Sequence, residues 1–295
     1  MGIGLQQPRR VLELSLIVTA AVAAIEFAGG FLSNSISLVS DAIHVLTDVI
    51  AIALSLLAVV LATRSHSGIT TYGYHRAEVL AALVNGITLV ILSGWILYEA
   101  FQRVLQPRPI DAPIMLAAAG LGLVGNLIVI LLLRGHANKS INLQSAFVHV
   151  IYDTVSSVAV IITGFVAFYS GTVILDPLVA FLIAGLITRS AYSIVKGSTH
   201  ILLEGAPRKL DIAEVTNSLK EINGVVDVHD LHVWTISTGM DALSGHVVIR
   251  DQMLSQSGKV LGTINELLSD KYGIRHTTIQ LENEPEISFK RTSHL

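Results

Sequence analysis

The chain lacks cysteine altogether and carries little charge. None of its 295 residues is Cys and only four are Met. The first absence excludes disulfides, thiolate metal sites and cysteine nucleophiles. The absence of cysteine and the scarcity of methionine together disfavour a copper(I) site, because copper(I) prefers thiolate or thioether ligands. Charged residues make up 14% of the chain and the formal net charge is −3, so no strongly basic surface suggests a nucleic-acid partner.

Apolar residues make up most of the remainder. Hydrophobic residues account for 52% of the chain, and its mean hydropathy of +0.66 is far from that of a soluble globular protein. A membrane-spanning helix needs about 20 predominantly apolar residues. Six segments meet this requirement, at roughly 11–32, 37–62, 78–104, 113–134, 142–169 and 173–196. We expect an integral, multi-pass membrane domain whose first segment is retained, because no small-residue cleavage pattern follows it.

A histidine and an aspartate four residues apart occur twice inside these segments, as His44 with Asp48 and as His149 with Asp153. Residues i and i+4 share one helix face, so each pair presents an imidazole beside a carboxylate. Ionisable groups at membrane depth are costly and usually face a partner, a cavity or an ion path. Two such pairs on packed helices would form a four-ligand metal site within the bilayer.

This combination of ligands favours zinc. Two imidazoles and two carboxylates suit a tetrahedral Zn²⁺ and cancel its charge, which matters because net charge is heavily penalised at low dielectric. Calcium prefers about six to eight oxygens and magnesium keeps several waters, so both fit poorly. Because ligand type discriminates imperfectly among the transition metals, Co²⁺, Cd²⁺, Fe²⁺ and Mn²⁺ rank behind Zn²⁺.

Other polar residues also lie within the predicted spans. Asp41 precedes His44 by three residues, but its counterpart beside the second pair is Ala146, so we assign Asp41 a supporting or gating role rather than that of a ligand. Glu26 and Asn126 are expected to form interhelical hydrogen bonds. Close helix packing is expected around Asn126, where three glycines cluster at positions Gly120, Gly122 and Gly125.

Lysine and arginine near the ends of the spans indicate the orientation of the chain. Most of them fall on one side of a six-span topology, namely Arg9, Arg10, Arg64, Arg76, Arg134, Lys139 and Lys196. Arg103 and Arg108 fall on the other side. The majority places both termini in the cytoplasm.

The composition changes near residue 205, where charged and apolar residues begin to alternate. Helical spacing and strand patterns then give the order α-β-β-α-β, with helices over 211–222 and 255–272 and strands over 225–236, 243–250 and 277–281. We expect a small α+β sandwich with its helices on one face of the sheet. The sequence therefore predicts a transmembrane domain at 1–204 and a cytoplasmic domain at 205–295.

Four motifs follow one another along the chain: Ser40-Asp41-Ala42-x-His44-x-x-x-Asp48, Tyr72-Gly73-Tyr74-His75-Arg76-Ala77-Glu78, His149-x-x-x-Asp153 and His229-Asp230-Leu231-His232-Val233-Trp234. In kind and order they resemble those of the cation diffusion facilitators, which are zinc-transporter-like metal efflux proteins. The resemblance covers nearly the whole chain. It implies six transmembrane helices and a ferredoxin-like cytoplasmic domain, assembled as a homodimer that exchanges divalent metal for protons. It also implies a transport site made of His44, Asp48, His149 and Asp153.

The same resemblance implies a regulatory metal cluster in the cytoplasmic domain. By position in the family, its residues are His229, His246 and Glu282, and Gln280 stands where some relatives have a ligand histidine. His232 is expected on the opposite sheet face from His229, because side chains alternate along a strand.

The loop after the second helix holds a further metal in some family members. In this chain it contains His66 and His75, but the ligand register differs, and we expect no metal there.

The expected function is proton-coupled efflux of a divalent metal, with the bacterial inner or plasma membrane as host. Zinc is then a substrate and a regulator, and no cofactor is permanently bound. A zinc-dependent intramembrane hydrolase is one alternative, but it needs an open coordination position and a general base, and the chain has no His-Glu-x-x-His sequence. A metal channel or receptor without proton coupling is the other alternative.

Overall fold

The structure is a computed structural model that describes residues 3–62, 72–134, 141–237, 239–251 and 253–283. Some residues named from the sequence lie outside these described residues: Arg64, His66 and Lys139. The chain divides into two compact units, and each is described by itself. The first comprises Met1–Leu57 with Ala81–Val195, and the second comprises Ala58–Leu80 with Lys196–Leu295.

Six long helices precede the sheet-containing part of the chain. They are α1 (Ile3–Ser33), α2 (Ile36–Ala62), α3 (Arg76–Leu105), α4 (Ala112–Arg134), α5 (Ile141–Ser170) and α6 (Leu175–Leu202). By length and composition α1, α3, α4, α5 and α6 are each able to cross a membrane, and α2 is 27 residues long. Each predicted span coincides with one helix, so the six-helix prediction is confirmed. The largest departures are at the start of α1, which begins at Ile3 instead of 11, and at the end of α6, which continues to Leu202 instead of ending at 196.

Asp176, the second residue of α6, caps the first turn of α2. Its carboxylate accepts hydrogen bonds from the Ser35 hydroxyl at 2.6 Å and from the Ile36 N–H at 2.9 Å. It also accepts from the N–H and the hydroxyl of Ser37, at 3.1 and 2.6 Å. The first N–H groups of a helix have no partner within the helix, and its N-terminus attracts negative charge. The fully buried Asp176 therefore fixes the start of α2 to the start of α6.

The two arginines that oppose the orientation signal are engaged near this cap. Arg103 donates hydrogen bonds to the backbone and side-chain oxygens of Asn34, and to Glu99 at 3.1 Å. It also lies 4.0 Å from Asp176. Arg108 donates to Glu99 at 2.8 Å. These contacts give both arginines a structural role at this end of the helices.

Small residues let α4 pack closely against α1. A Cβ atom at Gly122 would overlap the carboxylate of Glu26, and one at Gly125 would overlap Val22. At Gly120 an added Cβ would meet nothing within 4 Å. The predicted close packing is therefore confirmed for two of the three glycines.

The helices that carry the two histidine–aspartate pairs, α2 and α5, enter one buried apolar core. Leu38 of α2 and Val160 of α5 are fully buried in it, together with residues of α3, α4 and α6: Leu89, Met115, Ala118, Ala119, Ile183, Ile187 and Ala191. A second cluster packs Ile43, which precedes His44, against α3 and α6. Burial of apolar area is the dominant favourable term in folding. This packing fixes the rotation of α2 and with it the direction in which His44 points.

The second unit contains a three-stranded sheet packed against two helices. Its elements are α7 (Ile212–Lys220), β1 (Val225–Ser237), β2 (Met240–Ile249), α8 (Leu254–Tyr272) and β3 (His276–Asn283), so the predicted order α-β-β-α-β is confirmed. The strands lie in the order β1-β2-β3, with β1 and β2 antiparallel and β2 and β3 parallel. Both helices and the sheet contribute to one core, which includes Leu219, Leu243, Val247 and Ile264.

β1 contains a bulge of one extra residue between His229 and His232. His229 pairs with His246 and His232 pairs with Ser244, so three steps along β1 match two along β2. Asp230, within the bulge, has a φ of 50°, in the left-handed region. Directly paired residues share one face of the sheet. The prediction that His229 and His232 face opposite sides is therefore wrong, because the bulge turns both to the face of His246.

Burial explains why the bulge is there. Val228 and Val233 are both buried in the core although they are five residues apart, and regular alternation would turn one of them to the other face. The extra residue keeps both valines in the core. Leu231, inside the bulge, packs over Gly245, where an added Cβ would lie 2.7 Å from the Leu231 side chain.

Candidate metal sites

The four residues predicted as the transport site lie close together on α2 and α5. Nε2 of His149 lies 3.0 Å from Oδ2 of Asp48 and 3.7 Å from Oδ2 of Asp153. His44 lies 3.8 Å from Asp48 through Nδ1 and 3.7 Å from Asp153 through Nε2. Ligand atoms at the corners of a zinc tetrahedron with bonds of ~2.0 Å are about 3.3 Å apart. The separations between the two pairs are therefore on the scale of a zinc site.

The four side chains are not yet closed around a single point. His44 reaches the two carboxylates through different ring nitrogens, whereas one ion takes one atom from each ligand. Among the described residues, no three of these four side chains offer single ligand atoms that all lie within 4.8 Å of one another. The two imidazole centroids are 5.9 Å apart. Closing the set therefore requires Asp48, His149 and Asp153 to approach one another as well as a rotation of the His44 ring.

Burial within this set is uneven. The side chain of Asp153 is 3% exposed, while those of Asp48 and His149 are 33% and 44% exposed. Oδ1 of Asp153 accepts no hydrogen bond from any residue that the structure describes. The set is therefore open on the side of Asp48 and His149, and Asp153 lies at its deepest point with an oxygen left for a cation.

Two serines of α5, Ser156 and Ser157, belong to a buried polar network beside this set. The carboxylate of Asp41 accepts a hydrogen bond from the Ser156 hydroxyl and another from Ser157 at 3.2 Å. Ser157 in turn accepts from the amide of Asn126 at 3.2 Å, so the predicted interhelical hydrogen bond of Asn126 is confirmed. Sequence reasoning missed both serines. The available signal was their position three and four residues after Asp153, on the same face of α5.

Glu26 behaves differently from the prediction. It is fully buried in α1, yet neither of its carboxylate oxygens has a hydrogen-bond partner in the part of the chain that the structure describes. The predicted interhelical hydrogen bond of Glu26 is therefore not formed with any residue that the structure describes.

The predicted cytoplasmic cluster converges on the sheet face opposite the helices. Oε2 of Glu282 lies 3.0 Å from Nε2 of His229, and its Oε1 lies 2.5 Å from Nδ1 of His246. All three side chains are half-buried, and their ligand atoms lie within 4.8 Å of one another. Hydrogen bonds, first from His246 and then from His229, hold the pKa of Glu282 below its ordinary value. This arrangement could hold a metal through two nitrogens and one carboxylate oxygen.

Gln280 completes a row of side chains across the sheet. In the strand register His246 pairs with His229 on one side and with Gln280 on the other. The amide of Gln280 donates a hydrogen bond to Oε1 of Glu282 at 3.2 Å. Gln280 therefore orients the carboxylate, and a metal held by the three other side chains would keep a fourth position for water or another ligand.

The remaining histidines named from the sequence lie elsewhere. His232 lies 3.0 Å from Asp230, whose other oxygen is 3.9 Å from Nε2 of His246. His75 lies in the turn before α3, and His66 is outside the described residues.

Comparisons with known proteins cover almost the whole chain. The model of the cation efflux transmembrane domain matches residues 12–203, and that of the cytoplasmic domain of cation efflux proteins matches residues 207–284. Over 279 residues the chain is 39% identical to a cadmium, cobalt and zinc/H(+)-K(+) antiporter of Bacillus subtilis, covering 94% of this chain and 89% of that protein. It is 38% identical over 275 residues to the zinc transporter ZitB of Escherichia coli, covering 91% and 85%.

Two further matches concern CzcD. The metal cation efflux system protein CzcD of Cupriavidus metallidurans is 36% identical over 276 residues, which cover 94% of this chain and 87% of that protein. A solved structure of the metal-bound C-terminal domain of the CzcD transporter from the same species is 38% identical. It covers 25% of this chain and 99% of that chain, with a TM-score of 0.23.

Proposed function

Because the chain belongs to the cation diffusion facilitators, the cation efflux family of metal transporters, we propose that it exports divalent metal, with Zn²⁺ as the preferred ion, in exchange for protons. The chain is a multi-pass membrane protein and a transporter rather than an enzyme. The observation that carries the proposal is the meeting of His44, Asp48, His149 and Asp153 from α2 and α5.

The chemistry of these four groups supports proton coupling. Nε2 of His149 and Oδ2 of Asp48 are 3.0 Å apart, a hydrogen bond in which a proton lies between them. Metal ligation needs the nitrogen lone pair and the ionised carboxylate, so a bound ion displaces that proton. Conversely, protonation from the far side releases the metal. Each side of the membrane then sets the occupancy of the site through its own pH.

The proposal includes the orientation and assembly of the chain. Residues 1–204 form the membrane domain, and both termini lie in the cytoplasm of a bacterial cell whose inner membrane is the host. Residues 205–295 form the cytoplasmic domain of a homodimer. In it His229, His246 and Glu282 bind a regulatory metal, a role supported by their separations of 2.5 and 3.0 Å.

Substrate choice is proposed on the ligand types. Two imidazoles and two carboxylates place Zn²⁺ first, with Co²⁺ and Cd²⁺ as further substrates and Fe²⁺ and Mn²⁺ behind them. The name of the Bacillus subtilis relative includes cadmium, cobalt and zinc. The family consists of transporters, which excludes the intramembrane hydrolase.

Transport by the purified protein separates an antiporter from a channel. The protein is placed in sealed vesicles with a trapped metal dye and a trapped pH dye, and zinc is added outside at zero membrane voltage. We expect zinc to enter while protons leave, and an imposed proton gradient alone to drive zinc uphill. Zinc that runs only down its own gradient would identify a channel and contradict the antiport proposal.

A further inference from the structure

Glu26 is a buried acid that the transport mechanism above does not use. Its side chain in α1 is fully buried, and neither carboxylate oxygen has a hydrogen-bond partner among the described residues. The neighbouring helix leaves room for it, because a Cβ atom at Gly122 of α4 would overlap the Glu26 carboxylate. The membrane domain therefore buries a carboxyl group that has no hydrogen-bond partner in the described part of the chain.

The physical cost of this arrangement depends on the proton. A carboxylate removed from water without a hydrogen bond or a counter-ion is penalised far more than a neutral polar group, and such groups neutralise instead. A carboxylic acid at Glu26 avoids that penalty and fits the same space. In this conformation Glu26 is therefore a site that holds a proton.

The surroundings of Glu26 link it to the transport site. Gly122, where an added Cβ would overlap the Glu26 carboxylate, lies four residues before Asn126 on one face of α4. The adjoining turns of α4 contribute only uncharged groups, Gly122 and Asn126. Asp41 is the centre of the network that runs through the α5 serines to Asn126. Negative charge on Asp41 and on Asp153 of the ligand set opposes a negative charge at Glu26, and a dication among the ligands offsets that influence.

We propose that Glu26 is a proton-binding site distinct from the four metal ligands, and that metal at the ligand set expels the Glu26 proton. This inference rests on the proposed proton-coupled transport and adds Glu26 to the groups that carry protons. Because binding linkage is reciprocal, a proton at Glu26 weakens metal binding by the same factor by which metal weakens proton binding. A glutamine at this position would fill the same space equally well but could not take part in the linkage.

Proton release on metal binding tests the proposal directly. The full-length protein in detergent is titrated with ZnCl₂ in weak buffer, and released protons are counted with a pH dye while calorimetry gives the zinc affinity. Glu26→Gln is compared with wild type and with Glu13→Gln, the matched change at an exposed glutamate of the same helix. We expect Glu26→Gln to bind zinc but to release fewer protons per ion, and Glu13→Gln to match wild type. Equal proton counts for Glu26→Gln and wild type would overturn the proposal.

A second variant covers a failure of Glu26→Gln to fold. Glu26→Asp keeps a titratable acid but withdraws it by one methylene, so we expect zinc-coupled proton release to persist with a shifted pH profile. An unshifted profile in transport and in proton release would count against Glu26. The proposed function has a separate readout: if wild type itself releases no protons on binding zinc, antiport fails. If wild type releases them and Glu26→Gln does so equally, antiport stands and only the role of Glu26 is lost.

Discussion

His149 lies closer to Asp48, on a different helix, than to Asp153 in its own helix, at 3.0 against 3.7 Å. His44 likewise lies slightly closer to Asp153 of α5 than to Asp48 of α2, at 3.7 against 3.8 Å. The i,i+4 spacing places each histidine beside an aspartate, but the packing of α2 against α5 exchanges the partners. The ligand set therefore depends on the contact between two helices, and a movement that separates them would break it.

Replacement of a ligand carboxylate should abolish transport. In Asp153→Asn the site loses one ligand and one negative charge, so a bound dication would leave a net charge in a buried position. We expect zinc uptake into vesicles to fall nearly to background for Asp153→Asn and for Asp48→Asn, with unchanged folding. Asp251→Asn, at an exposed aspartate outside both sites, serves as the control. Full zinc transport by both ligand variants would contradict the four-ligand assignment.

Loss of a supporting serine should weaken metal binding without removing a ligand. Ser157→Ala deprives Asp41 of one donor and leaves the Asn126 amide without its acceptor. Outer partners of metal sites typically contribute 10- to 100-fold in affinity, and we expect a loss of about that size. Thr163→Ala is the matched control, since its hydroxyl donates to the Ala159 carbonyl of its own helix. Calorimetric zinc affinity equal to wild type for Ser157→Ala would remove Asp41 from the supporting role.

The cytoplasmic cluster should regulate transport rather than form its path. Joint replacement of His229, His246 and Glu282 by Ala should remove one class of metal site and leave measurable zinc transport. Asp153→Asn is added to the full-length protein to disable the transport site, so that calorimetry measures metal binding at the cluster of His229, His246 and Glu282. The control is His276→Ala, an exposed histidine of β3. Complete loss of flux in the triple variant would instead assign these residues to the transport path.

The metal-free protein should show a pH dependence that originates at Glu282. Hydrogen bonds from His246 and His229 lower the folded pKa of Glu282. The resulting stabilisation is fully present above the unfolded pKa of a glutamate and is lost as the pH falls through the lowered folded value. Thermal unfolding with a chelator, followed by the fluorescence of Trp234 in a Trp95→Phe background, compares the native Glu282 with Glu282→Gln. We expect the difference between them to shrink as the pH falls below the ordinary glutamate range. A difference independent of pH would show that the Glu282 charge contributes nothing.

Much of the architecture follows from local pattern. Apolar runs of span length determine all six helices, because the bilayer leaves the backbone few alternatives. The spacing of His44 and Asp48 is likewise a one-helix property that can be read directly. The cross-helix partners are different, because Ser156 and Ser157 gain their meaning only when α5 packs beside Asp41. The sequence also gives no sign that Glu26 lacks a hydrogen-bond partner among the described residues, since no pattern shows which groups a buried acid fails to meet.

Strand β1 of the C-terminal α+β domain shows a second kind of feature that the sequence pattern does not predict. Alternation placed His232 opposite His229, and this failed because a core requirement at Val228 and Val233 overrides regular alternation. The positive φ of Asp230 is a conformation that aspartate tolerates better than most residues. Its presence in the motif was the only local indication of an irregular strand.

The extra residue between His229 and His232 reverses the alternation of side chains between the two faces of the sheet. Upstream and downstream of it, odd and even positions exchange faces, so a single deletion there would not merely shorten a strand. It would force a choice between keeping Val228 in the core and keeping Val233 there, and would move either His229 or His232 toward the helices. A relative that lacks this residue would therefore present a different set of ligands on its open face even if every histidine in it were retained.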